Sequence, residues 1–356
     1  MTASANGRSI RSAMRKIKRG DKLNILTFPT HERYEENLCK TGHNFYSVNY
    51  GKKWEKIYAD VPKNYHIVED IPEHIDFDLV LSHTSCERIK VATHLLSGGG
   101  VSIQNVNIPI LRHCHILPNP NLDIDMQTQS QQYKSIPVSR DSFISKFNSS
   151  SWGFEDGEAS VVEHGVDTDF WKPDDSVQRD NVCLSVVNDW PNRDWCCGFG
   201  LWAASVGLKT EHQLPVRVYG NSPGFSEAAK DINHLKQIYQ SSRIFYNTSL
   251  HSPVPTVLME AMACGCAIVS TNTCMIPEII EHGKNGLLSN DPNELRQFLQ
   301  MLMSNEDLAK QLGEEARKTV VEKFGLKRFI ESWNNLLYDT VENYTYPTEA
   351  FDESLS

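Results

Sequence analysis

Short β-rich runs alternate with amphipathic helical stretches along most of the 356 residues, and this alternation constrains the fold more than any other feature. Apolar, β-branched runs predict strands in two series, at residues 23–28, 45–48, 79–82, 108–112 and 136–139, and then at 182–187, 216–219, 244–246 and 267–270. Helical patterns lie between several of these runs, near residues 31–41 and 88–96. Strands separated by helices form parallel sheets, so the sequence predicts an α/β protein with two doubly wound, Rossmann-like domains.

The boundary between the two domains is predicted in a polar stretch that begins near residue 148. The predicted organisation is a basic segment at 1–22, a first domain at 23–160, a second domain at 161–325, a helix at 326–343 and an acidic tail at 344–356. The apolar residues of the last helix recur with helical period, which gives it one apolar face. This face is expected to return to the first domain.

Composition excludes several classes of protein. With 40% hydrophobic and 22% charged residues the chain is globular, and no run of 18 apolar residues predicts a membrane span. No apolar run follows the basic N-terminal residues, so no signal peptide is expected. The nine cysteines are an odd number without zinc-ligand spacing, which predicts free thiols in the cytoplasm.

The distribution of charge is uneven. The net charge is −10, yet residues 1–22 hold seven basic residues and one acid, leaving 28 basic against 44 acidic residues, or −16, for the rest. On a helix, Ile10, Ala13, Met14 and Ile17 fall on one face, with basic residues from Arg8 to Arg19 around them. Three interpretations stay open: contact with an anionic membrane, contact with nucleic acid, or docking against the acidic body.

The stretch from residue 244 to residue 270 carries the chemistry, because its pattern is strand, loop, helix, glycine and strand. Ser252 or a neighbour is expected to cap the helix, and Gly265 to end it in a left-handed conformation. Glu260 stands among apolar residues on the same helix face as Thr256. A carboxylate there needs partners, which are either two hydroxyls of a ligand, as on a ribose, or a structural Arg or Lys.

This segment, together with residues 276–280 and 283–287, resembles the retaining glycosyltransferases of family 4, which have the GT-B fold. The family signature has two glutamates separated by seven residues, followed by Ala-Met-Ala-x-Gly, a strand, Pro-Glu and Asn-Gly-Leu. The resemblance covers roughly residues 135–333 and includes residues 164–170, which look like the interdomain Asn-Gly-Val-Asp. It implies that the first domain lies on the acceptor side of a central cleft and that the second binds the nucleotide-sugar donor.

The resemblance also implies roles for single residues. Glu260 matches the glutamate that holds the donor ribose, whereas the first glutamate falls on Ser252 and the usual loop glycine on Pro255. The backbone N–H groups of Thr256 and Val257 are available to the donor. The family has two cationic residues that contact the nucleotide diphosphate. In this sequence Asn188 occupies the position of the first and Arg193 that of the second, and Arg193 is expected to stabilise the departing phosphate. Tyr219 and Gly220 are expected beside the nucleotide.

Histidines at predicted strand ends are candidates in the first domain. His113 and His115 share one face of their strand, and the family often has a histidine or an acid near this point to bind the sugar. Core or surface positions are the alternative for both. His31 and His83 follow two other strands and are candidates for the acceptor side. No third ligand has convincing metal spacing, and transferases of this fold generally work without a bound metal or cofactor.

The resulting expectation is sugar transfer from a nucleotide-diphosphate sugar, UDP- or GDP-linked, to a hydroxyl of a glycan, polysaccharide or lipid-linked acceptor, with retention of configuration. Its expected setting is the cytoplasm or the cytoplasmic surface of a membrane. Two alternatives stay open. One is sugar transfer to hydroxymethylated bases of viral DNA, which the acidic body disfavours. The other is a non-catalytic relative that binds nucleotide sugars. The sequence does not indicate the oligomeric state.

Overall fold

The structure is a computed structural model that describes residues 17–48, 53–55, 59–69, 71–72, 74–83 and 108–344. Its strands are β1 (Asn24–Thr27), β2 (Asn44–Val48), β3 (Tyr65–Val68), β4 (Leu79–Ser82), β5 (Ile110–Cys114), β6 (Arg140–Phe143), β7 (Ser160–Val161), β8 (Asp180–Val186), β9 (Val216–Tyr219), β10 (Ser242–Asn247), β11 (Ala267–Ser270) and β12 (Leu287–Leu288). Its helices are α1 (Glu32–Cys39), α2 (Met126–Lys134), α3 (Lys146–Ser151), α4 (Asp194–Cys197), α5 (Phe199–Val206), α6 (Ile232–Gln240), α7 (Thr256–Ala263), α8 (Ile276–Ile279), α9 (Pro292–Ser304), α10 (Glu306–Lys323) and α11 (Leu326–Glu342).

The strands form two parallel sheets, as the alternating pattern predicts. The first sheet has the order β3-β2-β1-β4-β5-β6-β7 and the second the order β12-β11-β10-β8-β9. In the first sheet the order in which strands are added reverses between β1 and β4, and in the second it reverses between β8 and β10. Ligands of open α/β sheets bind beyond the carboxyl ends of the strands at such reversal points. The loops after β1, β4, β8 and β10 are therefore where a site is expected.

The C-terminal helix α11 follows the second sheet but packs on the core of the first. Phe329, Trp333 and Leu337 are fully buried there in a cluster that includes Leu23 and, from β1, Ile25. The chain crosses to the second sheet near Val166, whose N–H donates to the carbonyl of Phe324 at 2.8 Å. The segment that leads to the second sheet therefore lies beside the segment that returns to the first.

The first sheet differs from the sequence prediction at three strands, of which one is displaced and two were not predicted. The strand expected at 136–139 is β6, four residues later, and its central position is polar because Asp141 pairs with the buried Arg112 of β5 at 2.5 Å. Strand β3 was not predicted, since His66 and Ile67 in its centre are exposed at the edge of the sheet. The two-residue edge strand β7 was also missed. The helix expected at 88–96 lies outside the described residues.

The end of the basic segment docks against the protein body. Ile17 packs on the first-domain core, and the Arg19 guanidinium pairs with Asp339 and Glu342 of α11. These contacts favour the docking interpretation for residues 17–22, whereas Arg8, Arg11 and the rest of the basic face lie outside the described residues. None of the helices in the described part of the chain is long and apolar enough to cross a membrane.

The cysteines that the structure describes are free thiols, as predicted, and Cys86 lies outside that part of the chain. Seven of them are buried, and Cys274 is partly exposed. Burial raises the pKa of Cys114 to about 11 and that of Cys197 to about 12. Both thiols are therefore protonated at neutral pH and play a packing role.

Candidate active site

A cavity of about 800 Å³ lies between the two sheets, beyond the carboxyl ends of β1 and β10, which are strands at the two reversal points. The first domain contributes Thr30, His31 and Arg33 from the loop after β1 and the start of α1, together with His115. The second domain contributes Thr256 and Glu260 of α7 and the neighbouring side chains Val254, Met259 and Ile232. The cavity therefore combines polar groups from both domains with an apolar wall.

Glu260 is the carboxylate that this cavity buries. Its Oε1 atom lies 2.6 Å from Nη2 of Arg33, and its Oε2 atom accepts a hydrogen bond of 3.2 Å from the hydroxyl of Tyr239. Burial raises the pKa of Glu260, and the nearby Arg33 charge acts in the opposite direction. The expectation that Glu260 and Thr256 share a face toward the cleft is confirmed, because both line the cavity.

Arg33 is a site residue that the sequence did not reveal. It lies in the first turn of α1, and its side chain is 15% exposed. Its guanidinium stands 5.8 Å from the ring centre of Trp171, and its Nη1 atom is buried without a hydrogen-bond partner among the described residues. A cation in the first turn faces the positive end of the helix dipole, which disfavours it there. The ion pair with Glu260 offsets that cost.

The helix that carries Glu260 ends as predicted but begins differently. Pro255 is its N-cap residue and no side chain caps it, so the expectation that Ser252 caps the helix is wrong. Gly265 adopts a φ of +77°, as expected, and the N–H of Cys266 donates back to the carbonyl of Ala261 at 3.0 Å. The first-turn N–H groups, which include those of Thr256 and Val257, have no intrahelical acceptor.

The loop after β8 holds the proposed phosphate-binding residues outside the cavity wall. A short 3-10 helix, Pro191–Arg193, leads into α4, and the Arg193 side chain is exposed with Nη1 at 3.4 Å from the carbonyl of Asn188. The side-chain oxygen of Asn188 accepts the N–H of Asn221 at 2.8 Å, which ties this loop to the one after β9. Asn188 therefore links these two loops.

Gly220 directly follows β9 and lies close to Val187, which directly follows the neighbouring strand β8. Its φ is +125°, and a Cβ atom there would lie 2.0 Å from the carbonyl oxygen of Val187. Tyr219 is half-buried, and its ring meets that of His234 edge to face at 5.8 Å. Between Gly220 and β10 the chain forms α6 and no strand, in a stretch that the structure describes completely.

Four histidines cluster around Tyr34 at the edge of the cavity, and two of them, His115 and His164, line it. The Tyr34 hydroxyl lies 3.1 Å from Nε2 of His113, and Nδ1 of His83 lies 3.2 Å from Nε2 of His115. His164, from the crossing segment, stacks on His115 with ring centres 5.9 Å apart. His113 is fully buried and also contacts Ser142 at 3.0 Å.

The histidine predictions therefore divide into two groups. His31 and His115 line the cavity, where a ligand can reach them, whereas His83 and His113 are buried away from it. Burial lowers the pKa of His83 to about 3 and that of His164 to about 4, so both imidazoles are neutral at pH 7. In the described part of the chain no group of three or more His, Cys, Asp or Glu side chains is arranged to hold a metal ion.

Comparison with known proteins supports the resemblance in the second domain. Residues 224–319, which contain α6, α7 and Glu260, match the family described as glycosyl transferases group 1. The match spans 96 of the 356 residues, so this segment is similar to that family. The chain is 34% identical over 89 residues to N-acetyl-alpha-D-glucosaminyl L-malate synthase of Bacillus anthracis, and covers 23% of that protein with 24% of its own length. It is 26% identical over 223 residues to alpha-maltose-1-phosphate synthase of Mycobacterium tuberculosis, with 52% of this chain and 56% of the relative covered.

Solved structures resemble the chain over most of its length. Anabaena HepE in complex with UDP has a TM-score of 0.67 at 13% identity, and covers 91% of this chain with 100% of its own. Sucrose-phosphate synthase of Thermosynechococcus elongatus has a TM-score of 0.68 at 14% identity, with the same coverage of both chains. At these identities the likeness shows the fold, which is the two-sheet GT-B fold of glycosyltransferases.

Proposed function

We propose that this protein is a glycosyltransferase that takes a sugar from a nucleotide-diphosphate donor and transfers it, with retention, to a hydroxyl acceptor. One observation carries the proposal: the buried carboxylate of Glu260 lies in an interdomain cavity of 800 Å³, on a helix within the segment that matches group 1 glycosyltransferases. A carboxylate that faces such a cavity can accept hydrogen bonds from two ribose hydroxyls. The HepE structure that resembles this chain holds UDP, which supports a nucleotide donor.

The proposed reaction breaks the bond between the anomeric carbon and the β-phosphate oxygen, and the electron pair leaves with the phosphate. The acceptor oxygen forms the new bond on the same face of the sugar, and its proton passes to the departing phosphate oxygen. Positive charge near that oxygen lowers the barrier, because it is already in place when negative charge develops. The N-terminus of α7, near Thr256, and the Arg193 guanidinium are the proposed sources.

The first-domain face of the cavity is the proposed acceptor side. His115 and His31 line it, and a neutral imidazole can donate one hydrogen bond and accept another. Burial and the neighbouring His113 keep the pKa of His115 well below its usual value, so it would bind sugar hydroxyls as a neutral group. A UDP- or GDP-linked hexose as donor, and a glycan or lipid-linked acceptor, complete the proposal.

A donor screen tests the proposed function. UDP-, GDP- and ADP-sugars are titrated into the protein by calorimetry, and the donor that binds is incubated with hydroxyl acceptors. We expect saturable binding of one nucleotide class and a product whose anomeric configuration, read by proton NMR, equals that of the donor. Binding without hydrolysis or transfer would identify a non-catalytic relative, and an inverted product would contradict retention.

Replacing Arg193 by alanine is expected to lower kcat about 10- to 100-fold with a smaller effect on donor KM, because its charge would matter most as the phosphate departs. Arg217→Ala is the matched control, since Arg217 pairs with Asp180 at the opposite end of β8, at 2.5 Å. Steady-state kinetics of both variants make the measurement. Equal kcat values for Arg193→Ala and the unmodified protein would remove Arg193 from the site.

A further inference from the structure

The ion pair between Arg33 and Glu260 joins the two domains inside the cavity, with one partner from each. We propose that this pair is a hydroxyl clamp, in which one ribose hydroxyl of the donor donates to Glu260 and accepts from Arg33. The first domain would then help select ribonucleotides over deoxyribonucleotides. This inference rests on the proposed function, since it assigns the donor's ribose to Glu260.

The chemistry of the two side chains is complementary to a hydroxyl. An ionised carboxylate only accepts hydrogen bonds and a guanidinium only donates them, whereas a hydroxyl does both. Among the described residues each Glu260 oxygen has one partner, Arg33 for Oε1 and Tyr239 for Oε2, and each keeps capacity for a second hydrogen bond. On Arg33, Nη1 is the donor group that is buried without a partner in the described part of the chain. One hydroxyl that donates to a Glu260 oxygen and accepts from Nη1 of Arg33 would satisfy both groups.

Burial makes this arrangement selective. The Glu260 side chain is 8% exposed and that of Arg33 15%, so water competes little for their hydrogen bonds. A ligand without the hydroxyl leaves buried polar groups unpaired, and sites of this kind discriminate strongly against such analogues. The Trp171 ring beside the guanidinium limits where Arg33 can move. The pair is thus held where a hydroxyl can reach both side chains.

A different role would give opposite results. If Arg33 only joined the two domains through its contact with Glu260, the donor would have to displace it from Glu260. Removing Arg33 would then tighten nucleotide binding, and the preference for ribose would stay the same. The clamp instead requires that the contributions of the hydroxyl and of Arg33 depend on each other.

The test is a cycle of ligand and protein changes. Among UDP, GDP and ADP, the nucleotide that binds tightest is compared by calorimetry with its 2′-deoxy and 3′-deoxy forms, in the unmodified protein and in Arg33→Met. We expect one deoxy form to bind the unmodified protein at least about tenfold more weakly, and this ratio to fall to about threefold or less in Arg33→Met. Arg19→Met, which removes a surface arginine that pairs with Asp339 of α11, should keep the full ratio.

Arg33→Lys keeps the positive charge but cannot place two N–H groups side by side as a guanidinium does. We therefore expect an intermediate ratio of deoxy to ribose affinity. This variant also serves if the methionine variant fails to fold, and the deoxy comparison in the unmodified protein needs no variant at all. Three outcomes would each overturn the clamp while the proposed function stands. They are equal ratios in the unmodified protein and Arg33→Met, tighter binding in Arg33→Met with the ratio unchanged, and no preference for ribose. Failure of all three nucleotides to bind would overturn the proposed function itself.

Discussion

Replacing Glu260 by glutamine is expected to lower the rate of sugar transfer at limiting donor by about a hundredfold or more. The change keeps the volume of the side chain but removes the charge that would hold two ribose hydroxyls. A hydrogen bond to a charged group contributes about 1.5–3 kcal/mol, so the loss of two accounts for an effect of this size. The measurement is kcat/KM for the donor identified in the screen.

Glu260→Ala should give at least as large a loss of transfer, with a change in stability as well. It leaves Arg33 buried opposite no carboxylate, and breaking one partner of a buried pair costs about 3 kcal/mol or more. The double variant Arg33→Met/Glu260→Ala removes both charges, so we expect it to recover much of the stability without the activity. Recovery of activity in the double variant would show that Glu260 acts through folding alone.

Acidification is expected to destabilise the folded protein strongly between pH 6.5 and 4. His83 and His164 are buried and neutral, with pKa values lowered to about 3 and about 4. Above pH ~6.5 the imidazoles are neutral in both states and contribute no pH dependence. As the pH falls, the unfolded chain binds protons that the folded protein excludes, so the free energy of unfolding decreases until the pH reaches the folded pKa values.

The size of this effect follows from the pKa differences. Each such histidine removes up to about 1.4 kcal/mol of stability per pH unit, so two of them remove about 4 kcal/mol by pH 5. This is a large part of the ~5–15 kcal/mol of a typical protein. His113 and His115 add to it in the same direction, because burial also lowers their pKa values.

In the described part of the chain, the groups that face this cluster include Tyr34, Ser142, Trp333, His31 and Arg328. Tyr34 and Ser142 contact His113, the Trp333 ring lies 4.7 Å from that of His113, and the positive charge of Arg328 lowers the pKa of His164 further. None of them is a carboxylate that could compensate a charged imidazole.

Urea unfolding at pH 8, 6.5 and 5 measures the effect. His83→Gln and His164→Gln should each reduce the loss of stability between pH 6.5 and 5, whereas His212→Gln, at a position with 79% side-chain exposure, should leave it unchanged. An identical pH dependence in the unmodified protein and both cluster variants would contradict the account of these histidines.

The sequence predicted the apolar strands well, because a short run of apolar residues is enough to identify each of them. Strand β4 and strand β11 have the predicted bounds, since each is a short apolar run that ends at a serine. Strand β6 failed because Asp141 in its interior pairs with Arg112, and that partner lies 29 residues away in the chain. Patterns along the chain carry no information about pairs of this kind.

The candidate site divides in the same way. Glu260 was found because a carboxylate in an apolar helix stands out, but its partner could not be named. Arg33 is 227 residues away, on a different domain, and nothing in its local sequence separates it from an ordinary surface arginine. The two alternatives for Glu260, a ligand or an ion pair, are joined in the structure, since the carboxylate pairs with an arginine and also lines the cavity.

A crystal structure with the nucleotide diphosphate from the screen tests the central claim most directly. The account predicts the nucleotide in the interdomain cavity, with ribose hydroxyl oxygens at about 2.6–3.0 Å from the carboxylate oxygens of Glu260. It would be contradicted by a nucleotide bound elsewhere on the protein while the contact between Arg33 and Glu260 stays as it is without ligand.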